Sequence, residues 1–162
     1  MARYAIACVC SVLLLAGAAP AHSEATKQKV ERFVAAITAA DKSAAHAEEN
    51  LLQMANVVVG NEWRSVLEVA DAYSAFRARL YSVDVLGTLS TEMDCRADRE
   101  RAMEYFIASA QAAYKIANIS LQRVNQALPK LTEPAAVSQA EKVRDTLQRE
   151  RDLLASLGPA ID

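Results

Sequence analysis

The sequence has few of the residues that interrupt helices or cross-link a chain. Its 162 residues include 4 glycines, 4 prolines, 3 cysteines and 2 histidines. Cys8 and Cys10 lie near the N-terminus, which leaves Cys95 as the single thiol of the remaining chain. One thiol cannot form an internal disulfide, so the fold must be held together by packing. No segment shows the alternation of apolar and polar residues that is typical of strands.

The chain also lacks a strong charge of either sign. It has 18 Lys and Arg residues against 20 Asp and Glu residues, which gives a net charge of −2 at pH 7. Nucleic-acid binding and electrostatic adhesion to anionic membranes both require a basic patch, and here the charges are mixed along the chain. We therefore expect neither nucleic acid nor a membrane surface to be a partner.

The N-terminus has the pattern of a secretory signal peptide. Arg3 precedes an apolar run over residues 5–19, and Ala19-Pro20-Ala21 provides a cleavage site with small residues. The run is shorter than the roughly 20 residues of a membrane span, which makes an uncleaved anchor the less favoured alternative. A lipoprotein cysteine would follow the run, whereas Cys8 and Cys10 lie near its start. We predict a signal peptide at 1–21, one domain at 22–162 and a periplasmic or secreted bacterial protein, with no membrane insertion after cleavage.

Glycines and prolines divide the rest of the chain into four segments rich in helix-forming residues. The predicted helices are 24–59, 61–86, 92–128 and 133–157, with breaks at Gly60, Gly87 and Pro129. Short connections favour antiparallel neighbours, so we predict an all-α fold, an antiparallel up-down-up-down four-helix bundle. Because the third predicted helix is longer than the second, its charged start at 94–101 should overhang the bundle, or the helix should begin later.

Apolar residues recur at steps of three and four in each segment, which predicts one buried seam per helix. The predicted seam of the first helix is Val30, Phe33, Ile37, Ala40, Ala44, Ala47, Leu51, Met54 and Val58. That of the second is Val66, Val69, Tyr73, Phe76, Leu80 and Val83, widened by Leu67, Ala70 and Tyr81. That of the third is Met103, Ile107, Ala110, Tyr114, Ala117, Leu121, Val124 and Leu128. The fourth has Ala140, Val143, Leu147, Leu154 and Leu157, and Glu150 interrupts this series.

Polar residues and one proline mark the predicted helix starts. Asn61 is expected to cap the second helix through its side chain, and Ser90 or Thr91 to cap the third. Thr132 or Glu133 precedes Pro134, and proline is favoured in the first turn of a helix.

Residues with catalytic or metal-binding chemistry are sparse. His46 and Glu49 lie three residues apart on one helix, but di-iron bundles need paired Glu-x-x-His motifs, and no such pair is present. The Cys-x-x-Cys-His motif of covalent haem and a credible Ser/His/Asp or Cys/His arrangement are also absent. We therefore expect no catalytic residue, no metal and no cofactor.

One aromatic cluster and one thiol are candidate sites. Tyr73, Phe76 and Arg77 of the second helix could face Phe106 and Tyr114 of the third, either as a core layer or as a pocket for an anionic ligand. Cys95 lies in a charged segment, so we expect an accessible thiol that could link a homodimer. Elimination favours a non-enzymatic protein that acts through protein–protein contact, as an accessory, inhibitor or sensor. The alternative is a small-ligand-binding bundle that uses the aromatic/Arg pocket.

The signal peptide gives a prediction about processing. Because Ala19 and Ala21 provide small residues at the third and first positions before the cut, mass spectrometry of the exported protein should show a chain that begins at His22, or at Glu24 if cleavage follows Ser23. An exported, folded protein that retains Met1 would contradict this prediction.

Overall fold

The structure of the protein is a computed structural model that describes residues 3–58 and 60–157, with side chains for residue 24 and from residue 26 onward within those ranges. The predicted signal peptide at 1–21 lies outside the residues whose side chains are described, and it stays a prediction. Gly158 and Pro159 lie outside the described residues.

The described residues form four α-helices and one 3₁₀ turn, and they contain no strand. Helix α1 spans Arg3–Met54, α2 spans Glu62–Glu92, α3 spans Arg96–Ala127 and α4 spans Pro134–Ser156, with the 3₁₀ turn at Leu128–Lys130 between α3 and α4. Helix α2 packs against α1 and most extensively against α3, and α4 packs against α1 and α3. The predicted all-α helical bundle is therefore confirmed.

Three of the four predicted seams form the core. In α1, the positions from Val30 to Leu51 at steps of three and four are at most 6% exposed, whereas the predicted positions Met54 and Val58, at and beyond the end of the helix, are half-buried. The six predicted seam residues of α2 and the five of α4 are also buried. These seams hold large or β-branched apolar residues at most positions, so burial of one face is strongly favoured by the hydrophobic effect.

The predicted seam of α3 is partly wrong. The buried face carries Ala102, Phe106, Ala113 and Ser120, whereas Met103 and Ile107 are half-buried. Tyr114, which the periodicity placed on the seam, is 37% exposed. The core face of α3 is built mainly from alanines, which lets the helix approach its neighbours closely and leaves the larger side chains at the edge of the interface.

Gly87 does not break the second helix as predicted. It lies inside α2, where a Cβ atom would be 2.6 Å from Cγ2 of Val34 and 3.1 Å from Cε2 of Phe106. The glycine therefore serves the close approach of α1 and α3 to the backbone of α2. Gly60, by contrast, has a φ of +80°, a left-handed conformation that favours glycine, and it lies in the turn before α2.

The continuation of α2 through Gly87 changes the start of α3. The side chains of Ser90 and Thr91 donate to the carbonyl oxygens of Gly87 and Thr88 within α2, so neither residue caps α3 as predicted. Helix α3 begins at Arg96, which makes α2 and α3 nearly equal in length, 31 and 32 residues. The later start of the third helix, one of the two predicted alternatives, is therefore correct.

The predicted role of Asn61 is also wrong, because its side chain makes no capping hydrogen bond. The first turn of α2 instead contributes to the start of α4. The carboxylate of Glu62 accepts hydrogen bonds from the backbone N–H groups of Thr132 (2.6 Å) and Glu133 (2.8 Å), and from the hydroxyl of Thr132. These bonds lower the pKa of Glu62. They occupy donors just before Pro134, where the predicted helix start is confirmed.

Among the described residues, no helix combines the length and the hydropathy of a membrane span.

The packing at Gly87 gives a prediction about stability. Alanine favours an ordinary helix interior over glycine by about 1 kcal/mol. In Gly87→Ala, however, the new methyl group meets a β-branched side chain and a fully buried ring, so we expect a net loss of about 1–3 kcal/mol in the free energy of unfolding. Urea denaturation would measure it. The control is Thr88→Ala at the next, exposed position, where a change within about 0.5 kcal/mol is expected. Stabilisation by Gly87→Ala would contradict the close approach.

Candidate functional site

Arg77 joins α2 to α1 through two carboxylates. Its Nε and Nη2 atoms donate to the two oxygens of Asp41 at 2.8 and 3.2 Å, and Nη1 donates to Glu48 at 3.0 Å. The hydroxyl of Tyr73 donates to Asp41 at 3.0 Å. Such bidentate, charge-assisted hydrogen bonds fix the orientation of both partners. The guanidinium group of Arg77 is therefore already neutralised by α1.

Glu150 of α4 is the most unusual residue of the interior. Its side chain is fully buried, and neither carboxyl oxygen has a hydrogen-bond partner among the described residues. It occupies the position between Leu147 and Leu154 on the apolar seam. Burial of an unpartnered charge costs much free energy, so the neutral, protonated form of the carboxyl group is favoured at this site.

Burial raises the pKa of Glu150 to about 8, and the negative charge of Asp41 acts in the same direction. Burial likewise raises the pKa of Tyr73, with contributions from Glu150 and Asp41. At neutral pH the interior therefore holds a neutral carboxylic acid and a neutral phenol next to the Asp41–Arg77 ion pair. Displaced carboxyl pKa values are common in active sites. Here, however, the carboxyl group has no exposed surface through which a substrate could reach it.

The predicted aromatic cluster is divided between two environments. Tyr73 and Phe76 are fully buried on α2, with ring centroids 6.3 Å apart. Phe106 is also fully buried, and it packs edge-to-face on Phe33 of α1 at 5.9 Å. Arg77 contacts α1, and Tyr114 lies at the exposed edge of α3. The three buried rings are core residues, so a ligand between α2 and α3 would have to displace packed side chains.

The other candidate residues lie elsewhere. Cys95 is exposed at the N-terminal boundary of α3, in the turn after α2. His46 and Glu49 line a shallow depression next to Arg77, on the α1 side of the interface. Within the part of the chain that is described, no group of three or more His, Cys, Asp and Glu side chains could hold a metal ion.

Helix α2 carries a second apolar stripe that points away from the core. We call it the outer face of α2, and its members recur at steps of three, four or seven: Trp63, Leu67, Ser74, Ala78, Tyr81, Val85 and Leu89. The four largest exposed members, Trp63, Tyr81, Val85 and Leu89, are 37–71% exposed. Leu67 is half-buried, and the small residues Ser74 and Ala78 are exposed. Single exposed apolar residues are ordinary, whereas several along one helix face mark a candidate interaction surface.

A groove between α1 and α2 borders this face. It has a volume of about 370 Å³ and is lined by Ile37 and Thr38 of α1 and by Ser74, Ala78 and Tyr81 of α2, among others. At the start of α2, the guanidinium group of Arg64 lies 5.4 Å from the ring centroid of Trp63. The outer face therefore combines aromatic anchors, small residues and an adjacent cleft.

The sequence contained signals for these features that its periodicity alone did not resolve. Asp41 and Glu48 are seven residues apart, so they share a face of α1 beside the alanine seam. The sequence signal for Glu150 was the presence of a carboxylate at a seam position of the fourth helix. The outer face was missed because Leu67 and Tyr81 were assigned to a widened seam, whereas Tyr81 is 71% exposed, and because helix two was predicted to end at residue 86, before Leu89.

A comparison of the chain with protein-family models, curated proteins and solved structures found no match.

The buried acid gives a prediction about pH dependence. The ordinary pKa of the Glu150 carboxyl is 4.5, and its pKa in the folded protein is about 8. The contribution of Glu150 to stability is therefore greatest below pH 4.5 and is lost as pH rises through 8. Replacing the acid by an apolar residue in Glu150→Leu should raise the free energy of unfolding at pH 7 by roughly 1–4 kcal/mol. It should also remove part of the stability loss between about pH 5 and 8.

Urea denaturation at several pH values would test this expectation. The matched control is Glu141→Leu, which removes an exposed carboxylate from the same helix and should leave the pH profile unchanged. A Glu150→Leu variant that is less stable than the wild type at pH 8, or that has the same pH profile, would contradict burial of a neutral acid.

Proposed function

We propose that this chain is a non-enzymatic protein that acts through protein–protein contact, with the outer face of α2 as its docking surface. The observation that carries this proposal is the exposed apolar stripe from Trp63 to Leu89, which spans 26 residue steps, or about 39 Å of helix. Aromatic anchors beside a groove are typical of surfaces that receive a helix from a partner.

The second part of the proposal concerns the directions of the four helices in the bundle that carries the docking surface. We propose that the four helices run up-down-up-down, with neighbouring helices antiparallel. The bonds from Thr132 and Glu133 to Glu62 bring the starts of α2 and α4 together. The contact of Gly87 with Val34 and Phe106 brings the end of α2 near the described start of the α1 seam and near the first part of α3. Both juxtapositions support this topology.

The proposed location is the bacterial periplasm or the exterior of the cell, supported by the signal-peptide pattern at residues 1–21. In an oxidising compartment the exposed Cys95 could form a disulfide-linked homodimer, and this remains a separate hypothesis. The accessory, inhibitor and sensor roles share the same requirement for a docking surface.

The alternative function, binding of a small anion by the aromatic/Arg cluster, has weaker support. Arg77 already binds Asp41 and Glu48, and the rings of Tyr73, Phe76 and Phe106 are packed in the core. We retain the alternative as a hypothesis without an observation that favours it.

Site-specific photo-crosslinking in cells that naturally produce the protein would test the docking surface. A photoreactive amino acid at Tyr81 should yield a covalent adduct with a protein. The matched control is Tyr105 of α3, an exposed tyrosine on a different helix, 61% exposed against 71% for Tyr81. We expect the adduct at position 81 to be at least several-fold more abundant than at position 105.

The alternatives give different patterns of adducts. Adducts at position 105 alone would place the docking surface on α3 and reject the outer face of α2. No adduct at either position would argue against a function based on protein contact.

A further inference from the structure

We propose that the outer face of α2 binds a second copy of this chain, in an antiparallel α2–α2 contact centred on residue 76. This inference rests on the proposed function, because it names the partner that the docking surface receives. A two-fold contact requires a surface that is complementary to itself, so that residue i faces residue j and residue j faces residue i. The order of residues along the outer face meets this requirement.

Six of the seven members of the outer face form three pairs of positions that are equidistant from residue 76, and Tyr81 has no counterpart among the members. An antiparallel pairing about this point places Trp63 opposite Leu89 and Leu67 opposite Val85 of the other copy. At the centre it places Ser74 opposite Ala78. The two helices would therefore approach closely at two exposed small residues, while bulky side chains close the contact at both ends.

The charges beside the face favour the same arrangement. The pairing brings Asp71, which is exposed, opposite Tyr81, whose hydroxyl can donate to a carboxylate. It also brings Arg64, near the start of α2, to within about one helical turn of Glu92 at the end of the partner helix. A parallel pairing would instead place Arg64 beside Arg64 and Glu92 beside Glu92, which is electrostatically unfavourable.

This contact is distinct from a disulfide through Cys95. In the antiparallel pairing, the ends of α2 that precede Cys95 lie at opposite ends of the dimer. A single dimer therefore cannot combine the α2 contact with a Cys95–Cys95 bond. Reductant, or the substitution Cys95→Ser, should leave the α2 dimer intact.

Sedimentation velocity over a range of concentrations would measure the self-association of the purified chain. We expect a reversible dimer in the presence of reductant, and at least a tenfold rise in the dimer dissociation constant for Tyr81→Asp. Tyr105→Asp is the matched control and should leave the constant unchanged. Arg64→Glu should weaken the dimer, and addition of Glu92→Arg should restore it, because the double variant reverses both partners of the ion pair.

Cysteine crosslinking would test the register. In a Cys95→Ser background, oxidation of a mixture of Leu67→Cys and Val85→Cys chains should give a disulfide-linked heterodimer. Neither variant alone should crosslink, because positions 67 of the two copies are about 27 Å apart along the helix axis, whereas a disulfide requires Cα atoms within about 7 Å.

The outcomes separate this inference from the proposed function. A chain that stays monomeric at all concentrations overturns the self-association. If that monomer still forms adducts with another protein through position 81 in cells, the proposed docking surface is supported and only the identity of its partner is wrong. A dimer that Tyr105→Asp disrupts and Tyr81→Asp does not would also overturn the α2 contact.

Discussion

Three helices meet at Gly87 because the absence of a side chain there lets Val34 and Phe106 approach the backbone of α2. The residue gives up helix propensity, and the close packing of two apolar side chains offsets that cost. Its consequence reaches beyond the core. Since α2 continues past Gly87 to Glu92, the side chain of Leu89 extends the outer face by about one further turn.

The polar residues between α1, α2 and α4 contribute little to stability. The Arg77 pairs with Asp41 and Glu48 are only partly buried, and pairs of this kind add little to stability. Their bidentate geometry instead defines the register of α1 against α2. Glu150 adds no hydrogen bond, and its burial opposes folding at neutral pH. An apolar residue would pack at this position with less cost, so the acid makes the stability of the bundle depend on pH.

Large apolar residues made much of this fold predictable. In α1 and α2, side chains such as Phe33, Val66 and Phe76 recur at the helical period. Burial of the face that carries them is therefore favoured over burial of any other face of the helix. The same reasoning was partly wrong for α3, where Ala110, Ala117, Leu121 and Val124 are buried as predicted but Tyr114 is exposed. Gly87 was ambiguous, since a glycine that ends a helix and one that admits a neighbouring helix look the same in a sequence. The pKa of Glu150 depends on its burial and on the charges of Asp41 in α1 and Arg77 in α2, so no local pattern in α4 could give its protonation state.

Helix α2 is apolar on two sides, because four large apolar side chains of its outer face are exposed opposite the buried seam. A helix with apolar residues around most of its circumference is ordinarily covered on all sides, because exposed apolar stripes promote association. In this bundle the inner seam of α2 is covered by α1 and α3, whereas Trp63, Tyr81, Val85 and Leu89 of the outer face are exposed. The small residues Ser74 and Ala78 at its centre do little for the core, since both are exposed. Their position is instead one at which another helix could come close, and the bulky residues on either side would then limit how far that helix could slide.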